Sequence, residues 1–177
     1  KAAHKLSERF GGGAGLLDTE DLGLSVLSLG DLDADGNLDL LVGDQRRGVD
    51  SLLVLFLDKD EHLRTARRIS QQEFGLVDDG VGREFDFFFG QALALLGDVD
   101  GDGTTEFAVG ASQWTPSLDT PPGFTPRLGA ILVGSLHRDG ALARSVLISA
   151  QRGGFAGVLS ESTEFGHTLA ALGDLDG

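Results

Sequence analysis

Cysteine is absent from the chain, so neither a disulfide framework nor a thiolate metal site is available to hold it together. Tyrosine and methionine are also missing, there is one Trp, and only four residues are Pro. A chain without Met that begins at Lys1 reads as a fragment or processed piece, so the lack of a visible signal peptide carries little weight. Long apolar runs are missing too. Stretches such as Ser51 to Leu57 are far too short to cross a bilayer, which argues against membrane insertion within this segment. Basic residues are scarce, with 14 Lys and Arg against 28 Asp and Glu. The resulting net charge of −14 argues against nucleic acid or an anionic membrane as a partner. The only Asn, Asn37, is followed by Leu38 and Asp39 and is no glycosylation acceptor.

What the chain has in excess is glycine, 27 of its 177 residues, much of it at turn-like positions between short apolar runs. That distribution predicts an all-β protein of many short strands. The acidity is concentrated in three Asp-rich loops, each at a fixed offset from a repeated Gly. Leu22-Gly23 through Gly30-Asp31, Phe89-Gly90 through Gly97-Asp98 and Phe165-Gly166 through Gly173-Asp174 align without gaps. Each unit reads as four strands. In the first these are Leu24–Leu29, Leu40–Val42, Ser51–Leu57 and Leu63–Ser70, although 61–72 also competes as a helix. In the second they are Gln91–Leu96, Phe107–Val109, Ala130–Ser135 and Leu142–Ser149.

Repeated four-stranded units of this length predict β-propeller blades of antiparallel strands. The expected divisions are residues 1–22 as the end of one blade, 23–89 and 90–165 as whole blades, and 166–177 as the start of another. About two and a half blades cannot close a ring, so the expectation is a partial propeller from a longer protein.

The loops predict calcium. Asp31, Asp33, Asp35 and Asp39 stand at positions one, three, five and nine of the first loop, with the carbonyl of Asn37 at seven. Asp98, Asp100, Asp102 and Glu106 hold the same places in the second, with the carbonyl of Thr104 at seven; Asp174 and Asp176 begin a third. Carboxylates spaced by two along a tight loop converge on one centre, and calcium takes six to eight oxygens in irregular geometry, unlike magnesium. Four like charges in an ion-free loop repel, so binding should order the blade. An EF-hand is excluded because position twelve is Val42 or Val109, not Glu, and helices do not flank the loops.

The second unit, Phe89-Gly90 … Gly97-Asp98-Val99-Asp100-Gly101-Asp102-Gly103 … Phe107-Ala108-Val109-Gly110-Ala111, resembles an FG-GAP repeat of the integrin α-subunit β-propeller type. In the first unit Leu22 replaces the Phe, and Val42-Gly43-Asp44 replaces the terminal pair. The resemblance implies a seven-bladed propeller, calcium between the first two strands of several blades, and an extracellular role in adhesion or ligand binding. It also occurs in secreted bacterial proteins and beside phospholipases, so a propeller accompanying a secreted hydrolase of lipid or polysaccharide is the second reading.

Antiparallel order puts the acidic loops and the turns at 58–61 and 137–140 on one face of a blade, and 71–88, 112–127 and 151–164 on the other. A protein or carbohydrate partner is expected on that opposite face, where Trp114 and Phe124 lie among the four prolines. The alternative for Trp114 is a cap on the blade, and Phe85, Phe87, Phe88 and Phe89 read as inter-blade core. Catalysis has no motif behind it: no nucleophile elbow, no phosphate loop and no His pair at zinc spacing. His167, at the repeat position of Leu24 and Gln91, is expected to be structural.

Overall fold

The computed structural model describes residues 5–7, 11, 21–45, 50–76, 88–115, 127–150 and 152–175. Two four-stranded antiparallel sheets make up the fold. The first runs in sequence order through β1 (Asp21–Gly30), β2 (Asp39–Gln45), β3 (Ser51–Leu57) and β4 (Leu63–Ser70). The second repeats it with β5 (Phe89–Gly97), β6 (Glu106–Ala111), β7 (Ala130–Leu136) and β8 (Leu142–Ile148). Among the described residues there is no helix, and none is long and apolar enough to cross a membrane. Within 61–72 the chain forms strand over Leu63–Ser70 and no helix, and pairing with β3 decides it: Leu52 faces Ile69 and Phe56 faces Thr65 across the ladder.

Strand β3 is buried along its whole length, and its period-two alternation divides it between two cores. Leu52, Val54 and Phe56 join a cluster with Phe107 and Val109 of β6, Ala130 and Leu132 of β7, and Phe89. Leu53, Leu55 and Leu57 pack on the other side with Val42, Leu63 and Leu6. The first cluster lies between the sheets and holds them together. Each fully buried Leu, Val or Phe contributes about 1.5–3 kcal/mol of transfer free energy. The ring of Phe74, from the connection after β4, packs 5.0 Å from Phe89 and edge-on, at 6.3 Å, against Phe107.

Phe89 is fully buried and Phe88 half-buried, while Phe85 and Phe87 lie outside the described residues. Trp114 is buried in the inter-sheet cluster, so it is core and not a surface contact for a partner. Its backbone carbonyl accepts from the Gly129 N–H, which ties the end of the 112–127 connection back to its start. Phe124 and all four prolines lie outside the described residues.

The glycines that frame the repeat meet across the sheets. The carbonyl oxygen of Gly90, at the start of β5, sits where a Cβ on Gly43 of β2 would be. The carbonyl oxygen of Gly166 sits in the same way over Gly110 of β6. Gly90 and Gly166 both have positive φ, 83° and 87°, which turns their carbonyls toward the preceding sheet. The Ser25 hydroxyl donates to the Gly90 oxygen at 2.5 Å and secures the first of these joints.

The third acidic segment is not part of a strand. Residues 165–175 form no ladder; Phe165 makes one parallel bridge to Gly129.

Candidate functional site

Each acidic loop hangs between the first and second strands of its sheet, residues 31–38 between β1 and β2 and residues 98–105 between β5 and β6. The first aspartate folds the loop around itself. Asp31 accepts from the N–H groups of Asp35 and Gly36, both at 2.9 Å. Asp98 accepts from those of Gly101, Asp102 and Gly103 at 2.8–3.1 Å. The third-position carboxylates, Asp33 and Asp100, each take the N–H two residues on, at 3.2 and 3.3 Å. The fifth-position ones do likewise. Asp35 accepts from the backbone and side-chain N–H of Asn37, and Asp102 from the backbone N–H and hydroxyl of Thr104. These bonds hold the Asp102 carboxyl below the usual carboxylate range, the Thr104 hydroxyl first among them.

The ninth-position residues behave differently, because they open the second strand of each sheet and are buried. Asp39 and Glu106 are fully buried carboxylates. Asp39 accepts from Leu32 N–H at 2.9 Å and Leu57 N–H at 3.3 Å, and Glu106 accepts from Val99 N–H at 3.0 Å. Burial pushes the Asp39 carboxyl up despite these bonds.

Three carboxylates converge in each loop. Asp31, Asp33 and Asp39 each present an oxygen within 4.8 Å of the others, and so do Asp98, Asp100 and Glu106. Asp35 and Asp102 stand outside those triplets. Asp174 belongs to no such group among the described residues, and Asp176 lies outside them.

The sequence reading missed two arginines. Arg64 of β4 pairs with Asp33 and, at 3.2 Å, with Asp35, its guanidinium also 5.8 Å from the Phe56 ring centre. Arg144 of β8 pairs with Asp100, with Glu106 at 2.7 Å and more loosely with Asp102 at 3.8 Å. Repeat alignment hides them. Arg144 lies opposite Ser135 in the ladder, a place held by Thr65 in the first sheet, where Thr65 lies opposite Phe56. The two arginines thus reach equivalent loops from neighbouring registers. The available signal was the like charge of the loops, which demands a cation from somewhere in the fold.

His167 is exposed, its Nε2 3.3 Å from the side-chain nitrogen of Gln91, its counterpart one repeat earlier. His62 lies 3.9 Å from Asp58 in the turn between β3 and β4.

Sequential four-stranded antiparallel sheets, stacked through their faces and each carrying an acidic loop between its first two strands, define a blade-type β repeat. The family model of the FG-GAP repeat matches residues 89–133, which span β5, the second acidic loop, β6 and part of β7. The second sheet thus carries an FG-GAP repeat, and such repeats fold into β-propellers. No curated protein matches the chain.

Proposed function

We propose that this chain is a calcium-binding, non-enzymatic propeller module that works outside the cell in adhesion or ligand binding. The observation that carries the reading is the convergence of three carboxylates at the same strand connection of both sheets. Ligands at 2.3–2.6 Å from a calcium ion lie at most about 5 Å apart, and both triplets meet that limit. An all-oxygen set suits a hard cation. Asp31, Asp33 and Asp39 would hold one ion, with Asp35 and the Asn37 carbonyl completing the shell; Asp98, Asp100 and Glu106 would hold another, with Asp102 and the Thr104 carbonyl. Asp174 with Asp176 would start a third site. The ion supplies charge neutralisation and cross-links the hairpin between first and second strands.

The face opposite the loops, at 112–115 and 127–129, is the place for a protein or carbohydrate partner, with Trp114 acting as the support beneath it. The FG-GAP match favours an extracellular setting and a binding role.

Thermal melting of the 177-residue chain in calcium and in chelator tests the metal, together with calorimetric titration of calcium chloride. Calcium at a hundredfold excess over Kd should add about 2.7 kcal/mol of stability per site. Asp98→Ala should remove one binding event and leave the first loop's. Equal melting temperatures with no heat of binding would refute the proposal.

A further inference from the structure

Each acidic loop has a pattern in how its oxygens are used. At Asp100, Asp102 and Glu106 one oxygen accepts from the backbone, as Oδ1 of Asp100 does from Asp102, Oδ1 of Asp102 from Thr104, and Oε2 of Glu106 from Val99. The other oxygen of all three, Oδ2, Oδ2 and Oε1, goes to the guanidinium of Arg144. The first loop follows the same division. Oδ1 of Asp33 and of Asp35 accepts from the backbone, and Oδ2 of each goes to Arg64. The guanidiniums therefore collect the oxygens that the loop backbone leaves over. Two of the three carboxylates that converge in the second loop, Asp100 and Glu106, are among Arg144's partners; in the first loop Asp33 is one of three.

We infer that Arg144 and Arg64 are built-in competitors of the metal: each guanidinium stands on the ion's oxygens when the loop is ion-free and must swing away when the ion binds. The inference rests on the calcium reading and adds a regulatory element to it. An ion-free loop with four carboxylates would repel itself open; a tethered cation keeps it closed and lowers the affinity by the free energy needed to displace it. Both arginines stand on the outermost strand of their sheet, with side chains 44 and 45% exposed, so water is ready to receive a displaced guanidinium. The planar fork matters. Arg144 spans three acceptors at once, and its Nε–H also lies 3.3 Å from the Ser135 hydroxyl, which aims the group at the loop. A lysine offers one point charge and would compete less well.

Calcium affinity then depends on a residue that never ligates calcium. Calorimetric titration with calcium chloride, on the wild-type chain and on Arg144→Gln, Arg144→Lys and Arg64→Gln, reads this directly. The expected result is tighter binding on the order of tenfold at the second loop in Arg144→Gln, with Arg144→Lys between it and wild type. Arg64→Gln should tighten the first loop by less, since its arginine covers two of the proposed ligands, Asp33 and Asp35, rather than three. Melting in chelator is the companion measurement, and there Arg144→Gln should be less stable than wild type while gaining more from calcium. Binding in wild type with equal or weaker affinity in Arg144→Gln overturns the competitor role and leaves the calcium sites standing. Heat in neither protein overturns both. Heat in Arg144→Gln alone supports both.

Discussion

Asp58 shows how one carboxylate shapes a turn outside the acidic loops. It sits between β3 and β4 and accepts at 2.9 Å from the N–H groups of both Asp60 and His62. The His62 N–H bond is the largest of the influences that hold its carboxyl below the usual 3.8. A folded-state value below the unfolded one means that ionised Asp58 contributes stability in full above about pH 4. That contribution is lost as pH falls through the folded value, beneath 3.8. Asp58→Ala should therefore melt below wild type near about pH 6, and the gap should close as the pH drops through that window; a constant gap would contradict the assignment. The same scale separates what a reader of the sequence obtains from what escapes. The spacing of Asp31, Asp33, Asp35 and Asp39 is written in the chain, because ligands on one loop are neighbours in sequence. Arg144 is not, since Asp100 lies 44 positions before it, and strand pairing alone brings them together. Trp114 misled for a related reason: a lone aromatic beside prolines looks like a recognition residue until the neighbouring sheet is in place to bury it.

Strands were the most legible elements. Ser51–Leu57 and Leu63–Ser70 follow from apolar content and turn residues with no change of boundary, whereas β1, β2, β5 and β6 extend beyond their apolar runs. Asp39, Asp44 and Glu106 account for part of the difference. Each is an acidic residue inside a ladder, and a charge reads as loop unless its partner is known. Gly43 is the informative residue at this scale. Its φ is not in the left-handed region, so the residue is glycine for want of room and not for backbone conformation. Gly43→Ala would push a methyl group onto the Gly90 carbonyl, backbone that cannot rotate aside, and onto the Ser25 hydroxyl at 2.8 Å. A cost of about 1–3 kcal/mol is expected from such overpacking. Urea unfolding measures it, and Gly110→Ala should cost a similar amount through Gly166.

Across the molecule, the two sheets share one core, and the single tryptophan lies in it. Phe107 of β6 and Leu52 of β3 belong to the same cluster, so neither sheet loses its packing alone. Unfolding followed by Trp114 fluorescence should accordingly coincide in midpoint with unfolding followed by far-ultraviolet circular dichroism. A fluorescence transition that precedes the dichroism would mean the sheets part before they melt. The joint between sheets is directional. Each repeat hands a carbonyl to the glycine of the one before it and offers a glycine to the one after. Duplication or loss of a whole repeat leaves every such pair matched, while a cut that falls between Gly43 and Gly90 divides one. Each such pair joins two neighbouring repeats, so a lesion at one glycine is suffered by its neighbour.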